Sequence, residues 1–405
     1  LLSAIYTPIR PAARQARMVA RTLFPRNPND SKTMLDPGCW MMTHQRHNNG
    51  WANPESSISH PESGAWKRLE CKIAVVTKKS DVIYLDYNAS TPCDPRVVEA
   101  MQPFFGTVFA NPSSRNHRAG QDAFTALEDA RTRIARFLGA RSATEIVFTS
   151  GATEANNLAL AGAARALKGR GRHLVTQTTE HPSVLEVFRA LQREGWGLTE
   201  VGVDQEGRVR LEELESALRE DTVLVSLMLA NNETGTIQPV QEAAELAHAR
   251  GALVHCDAAQ GVAKIAVSVA ELDVDLLSLS GHKLYAPKGI GALYVRRTSP
   301  PFKLAPQLHG GGHEGGVRSG TPNLPGAVAL ALALEIADAD LIEEAPRVAA
   351  LRDELETRIA AHVEDCVING STDARLPNTS NISFPGIEGN ALLASLPDLA
   401  VSSGS

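Results

Sequence analysis

Short apolar runs alternate with longer segments of helical periodicity along most of this sequence, from about residue 83 onward. Runs 145–148, 173–176 and 223–229 have the composition of buried strands. A segment with apolar residues at helical spacing follows each run, so the pattern predicts βαβ units and a mostly parallel, doubly wound α/β sheet. Such a sheet binds ligands at the carboxyl ends of its strands, so a functional site is expected in the turns that follow them.

The character of the sequence changes on both sides of this alternating region. Residues 1–80 have little apolar periodicity and many Pro and Ser, so we predict that they are disordered or a spurious N-terminal extension. Residues 92–323 are predicted to form a large ligand-binding domain. Residues 81–91 and 324–405 are predicted to form a smaller α+β domain with two long helices, the second beginning at Pro346.

Composition and charge argue against two broad classes of function. The 405 residues are 43% hydrophobic and 21% charged. The formal net charge of −6 does not favour binding to the negatively charged backbone of a nucleic acid. No apolar run of about 18 residues occurs, and we therefore expect no membrane-spanning helix.

The cysteines bear on the cellular compartment. All five are scattered and none forms a C-x-x-C pair, which is typical of a reducing compartment, so we predict the cytoplasm. Residues 1–29 contain several Arg and no acidic residue, which is the composition of an organellar transit peptide. A mitochondrial location is therefore the alternative if that segment is real.

The turn with the strongest chemical signal is Ser280-Gly-His-Lys283, which follows the apolar run 275–279. Gly281 lets the chain turn sharply, which would hold Lys283 at the edge of the sheet. A partly desolvated lysine can lose its proton there and act as an amine nucleophile. For a lone lysine the commoner outcome is a solvated side chain after a strand, so the other turns must decide.

Three further turns carry groups that suit a flat, anionic ligand. Ala152 and Thr153 open a helix after a strand, where free backbone N–H groups can bind an anion. His181 follows another strand and could stack on a ring or move a proton. Asn232 lies in a turn whose amides could bind a carboxylate or a ring hydroxyl. Each turn taken alone also fits an ordinary capping or structural role.

Asp257 ends a strand with an apolar interior, so its carboxylate needs a positive or proton-donating partner. A protonated pyridine nitrogen is such a partner. Gln260 lies about one helical turn further on, on the same side. The alternative is a helix N-cap aspartate, which is common.

The glycine-rich segment beyond residue 305 offers one misleading and one better signal. His309 and His313 have the H-x-x-x-H spacing of a metal site, but glycines between them do not hold two imidazoles on one helix face. We therefore predict no metal. Arg318 and Thr321 are better suited to an anionic group.

Together these pieces describe a site for pyridoxal 5'-phosphate. That cofactor needs a lysine for its aldehyde carbon, an acidic partner for its ring nitrogen and an anion site for its phosphate. Every piece follows a predicted strand, so all would meet at one edge of one sheet. The contributing residues are Lys283, Asp257, His181, Thr153, Ser280 and His282.

The same motifs, in their order along the chain, resemble those of the cysteine desulfurases. These are class V pyridoxal-phosphate enzymes of fold-type I, and the resemblance covers about residues 81–405. The motifs are Tyr84-Leu-Asp-Tyr-Asn-Ala-Ser-Thr-Pro92, Asn111-Pro-Ser-Ser114, Ser150-Gly-Ala-Thr-Glu154, Thr179-Glu-His181, Asn231-Asn-Glu233, Asp257-Ala-Ala-Gln260, Ser280-Gly-His-Lys283, Gly310-Gly-Gly-His-Glu314 and Arg318-Ser-Gly-Thr321.

The resemblance implies a role for each site residue. Lys283 would bind the cofactor covalently and move protons on the substrate, and His181 would stack on the ring as an acid/base. Asp257 would pair with the ring nitrogen and Gln260 would contact the ring oxygen. Asn232 would contact the substrate carboxylate or the ring oxygen. The expected phosphate contacts are Ala152, Thr153, Ser280 and His282, with Thr321 arriving from the partner subunit of a homodimer.

The implied reaction converts L-cysteine to L-alanine and leaves a persulfide on an active-site cysteine. The sulfur then passes to an acceptor protein, an iron–sulfur scaffold or a tRNA-thiolation factor. Alternatives are another class V enzyme, such as an aminotransferase or a selenocysteine lyase, or a non-catalytic scaffold with the same fold. The intact Lys283, Asp257 and His181 argue against the scaffold.

The end of the sequence departs from the family pattern. In this family Ser402-Ser-Gly-Ser405 is followed closely by the catalytic cysteine, on a mobile loop, and the arginine for the substrate carboxylate lies further on. None of the five cysteines matches that position. We therefore expect a fragment that binds the cofactor poorly or not at all and releases no sulfide from cysteine.

Overall fold

The computed structural model of the chain describes residues 82–298 and 302–403, so the prediction for residues 1–80 lies outside the described residues. The strands within those ranges are β1 (Ile83–Tyr84), β2 (Ile146–Thr149), β3 (His173–Gln177), β4 (Gly197–Val201), β5 (Thr222–Met228), β6 (Leu253–Asp257), β7 (Leu276–Ser280), β8 (Gly291–Val295), β9 (Val367–Ile368), β10 (Ile382–Ser383) and β11 (Leu399–Ala400). The α-helices are α1 (Pro95–Met101), α2 (Pro103–Gly106), α3 (Arg118–Phe137), α4 (Ala152–Leu167), α5 (Pro182–Arg193), α6 (Leu211–Ala217), α7 (Val240–Ala249), α8 (Leu324–His362) and α9 (Gly389–Ala394).

Strands β2 to β8 form one seven-stranded sheet in the order β2-β8-β7-β6-β5-β3-β4. β8 runs antiparallel to both of its neighbours, and the other described pairs in this sheet are parallel. The prediction of a mostly parallel, doubly wound α/β sheet is therefore confirmed.

Successive residues along the central strands enter two different apolar clusters, one on each face of the sheet. On β5, Leu224 packs into one cluster and Val225 into the other, and Leu276 and Leu277 divide in the same way on β7. Helices α4 and α5 supply the first cluster, whereas α3, α7 and α8 supply the second. Because both faces of the sheet are covered, the sequences of the central strands are continuous apolar runs.

The register of the sheet brings the carboxyl ends of its central strands level with one another. Asp257, the last residue of β6, pairs with Met228 at the end of β5 and with Ser278 on β7. Ser280 at the end of β7 pairs with Gly291 on β8, which also pairs with Thr149 at the end of β2. Side chains that follow these strands therefore converge on one edge.

The long helix α8 differs from the sequence prediction. The pattern predicts two helices, the second starting at Pro346, but the structure has one helix of 39 residues with Pro346 inside it. A proline removes one backbone donor and bends a helix without ending it when both flanks are held in place. Leu330 is buried before the proline, and Glu356 pairs with Arg375 after it.

Two small sheets lie outside the central one. β1 pairs in parallel with β11, and β10 pairs antiparallel with β9. The boundaries of a large domain (92–323) and a small one (81–91 with 324–405) stay a prediction. None of the helices in the described part of the chain has the combined length and apolarity needed to cross a membrane.

Candidate active site

Lys283 lies in the turn at the end of β7, as the sequence predicts. Residues Gly281–Lys283 form a short 3-10 helix directly after the strand. A side chain at position 281 would meet Ile290 Cγ2 at 2.9 Å and the Ile290 carbonyl at 3.1 Å, so the turn requires glycine. Lys283 Nζ donates a hydrogen bond to the backbone carbonyl of Asn88.

Electrostatics make this lysine a better nucleophile than a solvated one. Burial lowers the pKa of Lys283, and the charges of Asp257 and Asp86 partly oppose that shift. A lower pKa increases the fraction of neutral amine near neutral pH, and the neutral amine is the reactive form.

Asp257 is only 5% exposed, and the described residues give its carboxylate two donors. Its Oδ2 accepts from Asn156 Nδ2 at 2.7 Å, and its Oδ1 accepts from the backbone N–H of Ala259 at 3.0 Å. A second carboxyl, Glu180, lies in the same buried region, and burial together with the Asp257 charge raises the pKa of Glu180 well above its ordinary value. Burial and the neighbouring charge of Asp257 thus both favour the neutral form of Glu180.

His181 is the N-cap residue of α5, so the sequence-level alternative of a capping histidine describes its backbone role correctly. Its Nδ1 accepts from the backbone N–H of Ser183 at 3.1 Å and lies 2.7 Å from Ser183 Oγ. No described residue hydrogen-bonds Nε2, so this nitrogen is available to a ligand. A capping role and a functional role are therefore compatible at this position.

The first turn of α4 packs closely against the end of β7. Its N-cap, Gly151, has φ 151° and ψ −179°, a conformation open essentially to glycine alone. A Cβ at Gly151 would lie 3.4 Å from Ser280 Oγ, and one at Gly291 would lie 2.6 Å from Gly151 Cα. Because no described side chain caps this helix, the N–H groups at Ala152 and Thr153 can meet an anion beside Ser280.

The predicted phosphate contacts are not all brought together by the single chain. His282 lies next to Lys283, with its Nδ1 3.4 Å from Ser90 Oγ, and burial lowers its pKa. Thr321 is exposed and makes no described contact with the lysine turn. Thr153 also lines a separate cavity of about 550 Å³ between α4 and α5, whose described lining includes Ser183 but not Lys283.

Gln260 is held between two partners at the sheet edge. Its Nε2 donates to the Asn88 carbonyl at 2.9 Å, and its Oε1 accepts from Lys264 Nζ at 2.6 Å. Burial and the nearby Lys283 amine lower the pKa of Lys264 to about 7. Sequence reasoning missed Lys264, although its spacing of four residues from Gln260 is a signal that could have found it.

Asn88 connects the segment after β1 to distant parts of the chain. Its side-chain amide donates to the Asn232 carbonyl at 3.2 Å and to Thr379 Oγ1 at 3.0 Å. Its Oδ1 accepts from Asn378 Nδ2 at 3.1 Å and lies 3.4 Å from Lys264 Nζ. The backbone carbonyl of Asn232 is therefore a partner of Asn88, and the predicted role of Asn232 in binding a ligand stays a prediction.

Two carboxylates anchor the glycine-rich segment to the rest of the molecule. Glu314 binds Arg131 in a buried pair at 2.6 Å, and Glu154 binds Arg318 at 2.7 Å. Arg318, which the sequence suggested for an anionic ligand, is thus engaged by a carboxylate of its own chain. The described residues hold no group of three or more His, Cys, Asp or Glu that could bind a metal, His313 included.

Cys256 lies beside Asp257 but is poorly suited to react. It is fully buried on β6, and burial, with the charges of Asp257 and Glu180, raises the pKa of its thiol well above the ordinary value. This environment suits a role in core packing rather than in reaction.

The chain is similar to known proteins in both sequence and structure. Residues 83–405 match the family model described as Aminotransferase class-V. A cysteine desulfurase IscS from Anaeromyxobacter sp. (strain Fw109-5) is 50% identical over 323 residues, which cover 80% of each chain. A solved NifS-like protein is 42% identical with a TM-score of 0.75, over 78% of this chain and 85% of that one. The structure of SspA in complex with cysteine is 37% identical with a TM-score of 0.69, over 80% and 89%.

The chain belongs to the class-V aminotransferase family, whose members are pyridoxal-phosphate enzymes with the fold-type I architecture. Within that family it is a cysteine desulfurase, as its motifs indicate. The alternatives of an aminotransferase, a selenocysteine lyase or a non-catalytic scaffold receive no better support from these relatives.

Proposed function

We propose that the carboxyl edge of β6 and β7 binds pyridoxal 5'-phosphate, with Lys283 Nζ attached covalently to it. The observation that carries this proposal is a buried carboxylate, Asp257, and a half-buried amine of lowered pKa, Lys283, beyond adjacent strand ends. The uncapped N-terminus of α4 beside Ser280 suits the phosphate. When bound, the cofactor would supply an electron sink for the α-carbon of an amino acid.

Each side chain then has a proposed task. Asp257 pairs with the ring nitrogen, Gln260 donates to the ring oxygen, and Asn232 contacts the ring oxygen or the substrate carboxylate. Lys283 and His181 move protons on the substrate, and the Asn88 carbonyl receives the Lys283 amine when that amine is free. The proposed phosphate contacts are Ala152, Thr153, Ser280, His282 and, from a partner subunit, Thr321.

The proposed substrate is L-cysteine, which the names of the relatives and the cysteine complex of SspA support. A cysteine thiolate attacks the sulfur of the substrate, so an S–S bond forms as the C–S bond breaks. The electron pair of the C–S bond passes to the β-carbon, which takes up a proton, and the products are L-alanine and a cysteine persulfide. Cys256 is an unsuitable thiol because it is buried and its pKa is raised. The persulfide sulfur then passes to an acceptor protein, an iron–sulfur scaffold or a tRNA-thiolation factor.

Cofactor attachment is tested by chemical trapping. The full chain is mixed with excess pyridoxal 5'-phosphate, reduced with borohydride and digested, and its lysine peptides are weighed by mass spectrometry. With the cofactor in excess to offset the weak binding that the sequence predicts, we expect the pyridoxyl group on Lys283, none at that position in Lys283→Ala, and unchanged labelling of Lys283 in Lys168→Ala, a control at an exposed lysine. An adduct spread evenly over exposed lysines would contradict the proposal.

We further propose a homodimer that acts in the cytoplasm. Thr321 is exposed, and Phe105, Phe109 and Ile342 are large apolar side chains that are 68%, 75% and 85% exposed, which supports a partner surface. Cys93, Cys256 and Cys366 are free thiols, which supports a reducing compartment. Light scattering after gel filtration tests the dimer, and a mass equal to one chain would contradict it.

A further inference from the structure

A continuous set of hydrogen bonds joins the two functional groups Asp257 and His181 through residues that no motif singles out. We infer that Asn156 and Ser183 are positioning residues that keep the Nδ1 atom of His181 unprotonated, so that the neutral ring presents an N–H from Nε2 to the site. The use of that N–H rests on the proposed function, whereas its position on the ring does not.

The first link is Asn156, which is completely buried on α4. Its Nδ2 donates one hydrogen to Asp257 Oδ2 at 2.7 Å and the other to Ser183 Oγ at 2.9 Å. Its Oδ1 has no hydrogen-bond partner in the described part of the chain. The amide therefore uses both of its donors and leaves its acceptor unused.

The orientation of this amide is fixed by charge. If the amide were turned over, Oδ1 would face a carboxylate oxygen of Asp257 at the same short distance, and two acceptors repel each other there. The observed orientation leaves one buried oxygen of Asn156 unsatisfied, which costs less than placing it against the buried Asp257 charge. Asp257 thus determines that Asn156 donates to Ser183.

The second link follows from counting the hydrogens of Ser183. A hydroxyl has one hydrogen, and its oxygen already accepts from Asn156. Among the described residues, the other neighbour within hydrogen-bond distance of the hydroxyl is His181 Nδ1 at 2.7 Å, and because that nitrogen already accepts the backbone N–H of Ser183, the hydroxyl donates to it. The backbone N–H of Ser183 also donates to Nδ1, at 3.1 Å.

Two donors on Nδ1 settle the position of the ring proton. A nitrogen that accepts hydrogen bonds from an N–H and an O–H carries no hydrogen of its own, so a neutral His181 must be protonated on Nε2. In the proposed reaction this is the atom that gives a hydrogen bond or a proton to the substrate. Nδ1 is withheld from that chemistry by Ser183.

The ring proton is located by nitrogen NMR on the full chain labelled with ¹⁵N-histidine. Twelve histidines contribute signals, and the variant His181→Gln identifies those of His181. Spectra are taken well above the ordinary pKa of histidine, where the ring is neutral. We expect the shift of an unprotonated nitrogen for Nδ1 and of a protonated nitrogen for Nε2, with no cofactor needed.

Variants separate the two positioning residues. Ser183→Ala and Asn156→Leu are each expected to lower the ratio of the Nε2–H form to the Nδ1–H form about fivefold, the effect of losing one hydrogen bond. Ser183→Thr keeps a hydroxyl and is expected to retain the wild-type ratio. Circular dichroism of each variant shows that a changed ratio does not come from unfolding.

Two results would overturn this inference. One is a protonated Nδ1 in the wild-type protein, and the other is a wild-type tautomer ratio in folded Asn156→Leu. Because the spectra need no cofactor, they are independent of the trapping experiment on Lys283. Failure of the cofactor proposal would leave the tautomer result intact, and failure of the tautomer result would leave Lys283 as the site of attachment.

Discussion

The turns after β6 and β7 each bring a lysine amine to Asn88, but they hold it in different ways. Lys264 lies between two side-chain oxygens, Gln260 Oε1 at 2.6 Å and Asn88 Oδ1 at 3.4 Å. Lys283 contacts the backbone carbonyl of Asn88 and lies near the Asp257 charge. Burial lowers the pKa of both amines, so a low pKa alone does not distinguish the nucleophile. The partners distinguish it, because the Lys264 amine is held by the side chains of Gln260 and Asn88, whereas the Lys283 amine contacts a backbone carbonyl.

The largest expected effect is the loss of trapped adduct when Lys283 is removed and Lys264 is the remaining amine beside Asn88. In Lys283→Met we expect trapped pyridoxyl adduct to fall on the order of 10³-fold, because a positioned amine reacts far faster than an unpositioned one. We expect no transfer of the adduct to Lys264. Peptide mass spectrometry after borohydride reduction measures both quantities, and an adduct on Lys264 in this variant would erase the distinction between the two turns.

Lys264 is expected to make stability depend on pH in a definite direction. Its pKa falls from 10.5 in the unfolded chain to about 7 in the folded one, so the unfolded chain binds more protons between these values. Burial of the charged amine is unfavourable below about pH 7, and this penalty is relieved as pH rises toward 10.5. The unfolding free energy of wild type minus that of Lys264→Met should therefore rise by a few kcal/mol across this window.

Urea denaturation below, within and above that window measures the difference. Lys283 titrates in the same direction and is present in both proteins, so the difference reports Lys264 together with its coupling to Lys283. Lys168→Met removes an exposed lysine at the end of α4 and is the matched control, with no pH-dependent difference expected. A difference for Lys264→Met that is flat with pH would show that this amine is not held in the way described.

A smaller effect is expected from the residue that both amines share. Asn88→Ala keeps the backbone carbonyl that receives Lys283 but removes the side chain that contacts Lys264, Asn378 and Thr379. We expect a loss of about 1–3 kcal/mol in unfolding free energy, from buried polar groups left without partners. Asn390→Ala, at an exposed position on α9, is the control and should change stability by less than about 0.5 kcal/mol.

Trapping at Lys283 should survive in Asn88→Ala, because its acceptor is part of the backbone. A loss of adduct equal to that of Lys283→Met would mean that the Asn88 side chain holds the reactive amine as well. The two lysines would then depend on Asn88 in the same way.

The parts of the fold that the sequence predicts are those buried on both sides. β5 and β7 are fully buried and were predicted as apolar runs, whereas β4 is a partly exposed edge strand and has no such signal. Helix α8 was divided wrongly at Pro346 because local rules cannot show that both of its flanks are packed.

The residues of the site also divide into those with a local sequence signal and those that only the folded chain brings together. Lys283 and Asp257 could be found because each follows a strand, and strand ends meet at one edge. Asn156 stands between Ala155 and Asn157 in the sequence and meets Asp257 across 101 positions, a contact that only the folded chain creates. Its one local signal is that a polar residue stands on the buried face of α4.

The contacts of Asn88 also determine when this site can be completed as the protein is made. Asn88 is among the first described residues to leave the ribosome, but its partner Thr379 lies 291 positions later. A contact of such high sequence separation forms late, after the central strands and both lysines are already available to fold. The hydrogen bond between Asn88 and Thr379 therefore cannot form until the chain has been made as far as position 379. Asn88 is translated early, but this contact of the residue that both amines share is completed late.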